Sequence, residues 1–284
     1  MANAAWNGAA QTSFLYHNSG DGTFSRITNG ALVTITRDCS SGGWADYDND
    51  GLLDLFAANY GANNDLWHNE GGGSFHQIVT AARGTIANDR GNSSCAAWSD
   101  YDRDGLVDLF VANWGGESDF LYRNDGDGAF TKMTTNEVGS IVGDRASTAQ
   151  GAWADYDNDG WPDLFVPVNN GTAGPFGVRS LLYHNTADGA FESVTNNPVL
   201  EGAGRCWGAA WGDYDNDGLP DLFVSNWNGS FVGTNYLYHN LGGGVFERVL
   251  DSPVVAEQGW WTSCNWGDYD NDGYLDLFVA AVGD

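Results

Sequence analysis

The chain has 284 residues, 42% of them hydrophobic and 17% charged, a composition that fills a sizeable core and excludes a disordered segment. Eleven Lys and Arg against 38 Asp and Glu leave a formal charge of −27, so a phosphate backbone or an anionic membrane surface is repelled over most of the molecule and nucleic acid is not an expected partner. Forty glycines, roughly twice the usual ~7%, set between segments rich in Trp, Tyr and Phe, predict many turns and an all-β fold.

The opening MANAAWNGAAQ has neither a basic n-region nor an apolar h-region. No apolar run approaches the ~18 residues of a membrane-spanning helix. From Phe14 onward two strings alternate. One is FLYHNSGDGTF at Phe14, returning as LWHNEGGGSF from Leu66, FLYRNDGDGAF from Phe120, LLYHNTADGAF from Leu181 and YLYHNLGGGVF from Tyr236. The other is DYDNDGLLDLF at Asp46, returning from Asp100, Asp155, Asp213 and Asp268 at steps of 54, 55, 58 and 55 residues. In the first full unit four short extended runs, near GGWADYD, LLDLFAAN, NDLWHN and SFHQIVT, are separated by Gly, Asn and Asp clusters. Four strands in such a period describe one propeller blade and leave no room for helix.

The chain starts within one unit and stops within another. Pairing a strand near Tyr274–Ala281 with one near Ser13–His17 would close a ring of five four-stranded blades as a single domain over residues 1–284 and remove two sheet edges. A five-repeat part of a larger ring, such as a seven-bladed one, is the other reading.

Each DYD string carries Asp at positions 1, 3, 5 and 9 and Gly at position 6. Alternating carboxylates in a tight turn suit a hard, oxygen-loving cation, and Ca²⁺ fits better than Mg²⁺ or the softer transition metals. Up to five Ca²⁺ are expected. The predicted ligands are Asp46, Asp48, Asp50 and Asp54; Asp100, Asp102, Asp104 and Asp108; Asp155, Asp157, Asp159 and Asp163; Asp213, Asp215, Asp217 and Asp221; and Asp268, Asp270, Asp272 and Asp276. Position 7, which is Leu52, Leu106, Trp161, Leu219 or Tyr274, adds a backbone carbonyl. An EF-hand is excluded, because position 12 is Ala57, Val111, Val166, Val224 or Val279 in place of the bidentate Glu.

These strings resemble the FG-GAP or VCBS repeats of integrin α-subunit heads and of cartilage-acidic-protein-like secreted proteins, whose signature is a D-x-D-x-D-G-x-x-D calcium loop. The resemblance covers essentially the whole chain. It implies a β-propeller with the loop joining the first two strands of each blade on the lower face, and a ligand site on the upper face. The one departure in the loop is Arg103, which replaces the middle Asn.

Trp44, Trp98, Trp153, Trp211 and Trp266, two residues before each acidic string, are expected as core between blades. The YHN histidines His17, His68, His184 and His239, with Arg123 in the fifth copy, are expected to pack or to make a turn hydrogen bond rather than to form a metal-binding ring. Arg37, Arg90, Arg145 and Arg205, with Trp260 and Trp261 in the remaining copy, precede the first strands. Tyr60, Trp114 and Trp227 follow the second strands. Together they place guanidinium forks and flat aromatics on the face opposite the calcium turns, suited to a protein or glycan ligand. Pairing of those arginines with Asp38, Asp89 and Asp144 to pin the loops is the competing role. Cys39, Cys95, Cys206 and Cys264 fit either disulfides between blades or buried thiols.

The function expected is a calcium-stabilised binding or adhesion module that is extracellular, periplasmic or at the cell surface, its leader absent from this sequence. No nucleophile–base motif is present, and no membrane insertion is expected. The alternative is a carbohydrate-active enzyme of lyase or dehydratase type, with an upper-face Arg acting beside a Tyr or His.

Overall fold

The computed structural model describes residues 11–79, 84–169, 179–201, 205–227 and 233–282. The chain divides into two compact units, one of Met1–Asp100 with Asp104–Met133 and one of Tyr101–Arg103 with Thr134–Asp284.

The first unit contains two four-stranded antiparallel blades. Cys39–Ala45, Asp54–Asn63, Asp65–Gly71 and Ser74–Ile78 form one; Arg90–Ser99, Asp108–Asn113, Phe120–Gly126 and Ala129–Lys132 form the next. Pairing of Tyr60 with Asn92 and of Asn63 with Arg90 joins them into one eight-stranded sheet. A separate hairpin, Leu15–Asn18 with Phe24–Ile27, precedes them. The second unit repeats the plan. Ala152–Ala154, Asp163–Val166, Leu181–Asn185 and Phe191–Ser193 make one blade, and Cys206–Gly212, Asp221–Asn226, Tyr236–Asn240 and Phe246–Val249 make another, followed by the hairpin Trp261–Gly267 with Asp276–Ala281.

In the four complete blades the second strands are covered on both faces, which is why they read as an unbroken apolar run rather than alternating. Leu109, Phe110, Val111 and Ala112 are all wholly buried. Each unit has its own core. Phe56, Leu66, Leu109, Val111 and Tyr122 belong to one, and Phe165, Leu182, Leu222, Val224 and Tyr238 to the other.

Three of the tryptophans before the acidic turns, Trp98, Trp211 and Trp266, knit neighbouring blades as expected. Trp211 stacks on Tyr156 (6.3 Å, 11°), meets Phe165 edge-on and donates from Nε1 to the Ala152 carbonyl at 3.0 Å. Trp266 repeats this one blade on, with Tyr214, Phe223 and the carbonyl of Ala210. Trp98 meets Phe56 of the preceding blade and Phe130 of its own, whereas Trp153 meets Phe191 within its own blade. Trp44 departs from the pattern: it is 44% exposed and touches Phe75.

The helix-free expectation also needs correction. Single turns at Ala31–Thr34, Thr135–Val138 and Pro253–Ala256, and 3₁₀ turns at Ser140–Val142 and Pro198–Leu200, occupy the crossings between blades. A capping box of Thr134 and Glu137 starts one of them. Such crossings must leave a fourth strand and re-enter at the next first strand, and a helical turn satisfies their backbone groups locally. Among the described residues no helix is long and apolar enough to cross a membrane.

In every blade the first two strands form a hairpin around the acidic turn, so the segment entering the first strand and the one leaving the second meet at the opposite end. One backbone hydrogen bond marks that end in each copy: the amides of Tyr60, Trp114, Asn169, Trp227 and Val282 donate to the carbonyls of Asp38, Asn92, Ser147, Arg205 and Trp260.

Candidate functional site

The acidic turns are built alike. The position 5 amide donates to Oδ1 of the first Asp at 3.0 Å in all five, as from Asp50 to Asp46 and from Asp272 to Asp268. The Gly amide donates to the other oxygen of that carboxylate at 2.8–3.0 Å. The position 7 amide then donates to the position 5 carboxylate at 2.8–2.9 Å. Position 6 needs glycine because its φ is 89–94°. Position 4 is left-handed as well, φ 58–60°, a conformation Asn accepts readily. Asn49 and Asn216 also donate to the carbonyls of Gly105 and Gly273 in the following turn. Arg103 holds the same φ, and its guanidinium lies 5.4 Å from the Trp161 ring.

The position 9 carboxylate begins the second strand and is buried in the four complete blades, at Asp54, Asp108, Asp163 and Asp221. Asp54 accepts from the Tyr47 amide at 3.2 Å on Oδ2 and from the Asn69 amide at 2.7 Å on Oδ1. Asp163 and Asp221 repeat this with Tyr156 and Asn185, and with Tyr214 and Asn240. The third strand brings a histidine to the same carboxylate. His68 Nδ1 lies 3.2 Å from both Asp48 and Asp54, His184 Nδ1 3.3 and 3.2 Å from Asp157 and Asp163, and His239 Nδ1 3.4 and 3.1 Å from Asp215 and Asp221. The expected turn hydrogen bond is made by His239, from Nδ1 to Asp221 at 3.1 Å, while at His68 and His184 the acidic turn is approached without one.

The donor set suits a divalent cation. Asp46, Asp48 and Asp50 bring carboxylate oxygens within 4.8 Å of one another. Oδ1 of Asp48 is buried and accepts no hydrogen bond, which leaves it oriented for a cation. Burial pushes the carboxyls of Asp54 and Asp221 above the usual range and that of Asp163 up to about 7; the backbone amides of Asn69, Asn240 and Asn185 oppose the shift. Burial and then the neighbouring Asp159 raise Asp157. A bound cation would offset this crowding of negative charge.

At the other end, the predicted residues take different roles in the two units. Arg37 pairs with Asp65 at 3.2 Å, and Arg90 donates from Nε to the Gly61 carbonyl at 2.9 Å. These two pin loops. Arg37 also lines, with Tyr16, Trp44 and Trp67, a cavity of about 540 Å³. Tyr60 is exposed, and Trp114 is tied to Asn92 through its amide. Two of the suggested Asp partners have other contacts: Asp89 accepts from Tyr122 at 2.7 Å and faces Lys132 at 3.0 Å, and Asp144 accepts from Tyr183 at 2.7 Å. Arg145 is exposed.

In the second unit Arg205, Trp227 and Trp260 come together. The Trp227 amide donates to the Arg205 carbonyl at 2.7 Å, Trp227 bridges Trp260 as an antiparallel pair, and Trp207 stacks on Trp227 at 5.2 Å and 25°. Trp261 begins the following strand. All four cysteines are free thiols, and Cys39, Cys206 and Cys264 are buried. Asn-x-Ser/Thr sequons stand at Asn92, Asn170 and Asn228; Asn92 donates to Glu117 at 3.0 Å, while Asn170 and Asn228 lie outside the described residues.

Two kinds of residue escaped the sequence reading. Trp207 sits one place after a Cys, with no counterpart in the other repeats to mark it. The Asn that ends each LYHN string is wholly buried at Asn124, Asn185 and Asn240. It donates to the carbonyl of the DYD tyrosine one repeat back, Tyr47, Tyr101 and Tyr156, at 2.7–2.8 Å. Its presence in every copy is the signal that pointed to it.

Four-stranded antiparallel blades, each opened by an aspartate-rich turn between its first two strands, define a β-propeller-like repeat protein. The FG-GAP-like repeat matches residues 4–57, 46–111, 100–166, 174–224 and 215–279, and the chain belongs to that family. It is 29% identical to mouse cartilage acidic protein 1 over 177 residues and 31% identical to that of Xenopus tropicalis over 183, covering 61% and 63% of this chain. Those stretches are 26% and 27% of the relatives, so the chain matches about a quarter of their length. Among solved structures, an Agrocybe aegerita lectin described as recognising non-reducing terminal N-acetylglucosamine aligns over 91% of this chain and 66% of its own, with a TM-score of 0.56 and 18% identity. BBS1N in complex with ARL6DN aligns over 96% and 70%, with a TM-score of 0.55 and 12% identity. At such identities the likeness concerns the fold.

Proposed function

We propose that this chain is a divalent-cation-stabilised propeller that binds glycan through the face opposite its acidic turns and acts outside the cytoplasm. The stacked pair Trp207–Trp227 carries this reading, set beside Arg205 and Trp260 at the end of the blade away from the aspartates. Flat indoles suit the face of a sugar ring, and an otherwise acidic molecule repels other anionic surfaces. The fold shared with a lectin is consistent with it.

The hairpins Leu15–Asn18/Phe24–Ile27 and Trp261–Gly267/Asp276–Ala281 correspond in sequence to the last two and first two strands of a blade, and we take them as the halves of a fifth that closes the ring. Oxygen-rich turns favour Ca²⁺ as the stabilising ion. It would be held by the Asp residues at positions 1, 3, 5 and 9 with the position 7 carbonyl. Its chemistry here is cross-linking a hairpin and neutralising charge.

The test is a glycan array with the intact chain, repeated with Trp207→Ala and Trp227→Ala. Binding that both substitutions abolish without lowering the melting temperature supports the reading. No binding to any glycan, or binding untouched by either change, refutes it. Assays for new reducing ends or unsaturated products on the hits would detect turnover.

A further inference from the structure

Phe56, Phe110, Phe165 and Phe223, at one place in the second strands of the four complete blades, are wholly buried, whereas Phe278, at that place in the C-terminal hairpin, is 70% exposed. Three of the buried rings meet the tryptophan of the following blade edge-on: Phe56 with Trp98 and Phe165 with Trp211 at 6.4 Å, and Phe223 with Trp266 at 6.3 Å. Trp44, the tryptophan of the first blade, is 44% exposed and touches Phe75 of its own blade.

The packing around Phe223 shows what such a ring requires. Leu237, Val255 and Cys264 are buried with it, and Trp266, Leu277 and Val279 pack against them. At the corresponding places in and before the first blade stand Leu15, Val33, Gly42, Trp44, Leu55 and Ala57. All six line the cavity of about 540 Å³. The cavity therefore has the walls of an interface between blades, complete but for the phenylalanine and the strand that carries it.

We propose that this cavity is the seat of the chain's own C-terminal hairpin, with Phe278 entering it edge-on to Trp44. The strand Asp276–Ala281 then pairs with Leu15–Asn18 so that Leu277, Phe278 and Val279 stand opposite Tyr16, Leu15 and Phe14. That register is the one the complete blades keep: Leu222, Phe223 and Val224 stand opposite Tyr238, Leu237 and Tyr236, and the other three agree. Seating removes an exposed aromatic ring and two open strand edges from water. A hairpin on the same chain is present at high effective concentration, which favours it over that of a second copy. The inference rests on the reading of the two terminal hairpins as halves of one blade; what is new is the seat, the register and the residue that locks them.

Thermal melts of Trp44→Ala, Phe278→Ala and the double variant test the seat, with Trp98→Ala/Phe278→Ala as the reference pair. Each single change should lower the melting temperature by ~5 °C or more. Because Trp44 and Phe278 share one contact, their double variant should melt close to the less stable single variant, while the losses of the reference pair add. Additive losses for Trp44 and Phe278 overturn the seat. If the alanine variants do not fold, Trp44→Phe and Phe278→Leu replace them in the same cycle.

The variant Tyr16→Cys/Leu277→Cys, oxidised and mapped by peptide mass, separates the two readings. A disulfide within one chain is expected. Should it form while the melts are additive, the completed blade stands and the seat falls. A disulfide between two chains, or none, overturns both.

Discussion

The side-chain amide of Asn240 donates to the backbone carbonyl of Tyr156 at 2.8 Å across 84 residues of chain, and to that of Pro220 at 2.9 Å. Its own amide donates to Asp221, the position 9 carboxylate, at 2.8 Å. One buried Asn thus ties the third strand of its blade to the acidic turn of that blade and to the turn of the preceding one. Asn240→Ala leaves two carbonyls without this donor, so unfolding in urea should show a loss of ~1–3 kcal/mol. A change below ~0.5 kcal/mol, typical of an exposed surface site, would mean the carbonyls are satisfied elsewhere.

Cation binding should dominate stability. The melting temperature is expected to be lower in chelator than in millimolar CaCl₂, because the ion binds the folded turn alone; identical melts would contradict this.

The chelated protein should also respond to pH in an unusual direction. Burial raises the carboxyls of Asp54, Asp163 and Asp221 above the ordinary 3.8, Asp163 to about 7. Between those values the folded chain binds more protons than the unfolded one. Stability without metal should therefore be greatest below about pH 4 and decline as pH rises toward about 7. Calcium, which binds the ionised form, should flatten or reverse that slope. A chelated protein that gains stability over the same range would contradict the burial of these carboxylates.

Gly139 has φ 77°, and a Cβ there would lie 2.4 Å from the carbonyl oxygen of Phe191. Gly22, at φ 86°, faces open space. Gly22→Ala should cost only the ~1–2 kcal/mol of left-handed strain, and Gly139→Ala appreciably more, because a backbone atom must move. Thermal melts of the two variants decide it; equal losses would remove the steric argument.

Burial holds the thiol of Cys206 up to about 11 and that of Cys264 up to about 12, against an ordinary 9.0. At pH 8 an unperturbed thiol of that ordinary value is ~10% thiolate, while one at 12 is ~0.01%. Neither should react with an aromatic disulfide reagent until denaturant is added. Prompt labelling of Cys264 in the native chain would show that its strand opens.

The all-β architecture, the number of repeats, the turn aspartates and the packing of Trp98, Trp211 and Trp266 between blades could be read from the chain directly, because each depends on local periodicity: four Asp and one Gly at fixed spacing serve a tight turn, and an apolar run between two turns reads as a strand. The association of His68 with Asp54, of Asn240 with Tyr156 and of Trp207 with Trp227 could not, since those partners are brought together by strand register and blade stacking, which no single segment encodes. The arginines illustrate the division most clearly. Their recurrence at one place in the repeat was visible in the chain, but only the folded neighbours decided that Arg37 meets a carboxylate and Arg90 a carbonyl, because a long, flexible side chain takes its partner from whatever surface the tertiary structure sets within reach.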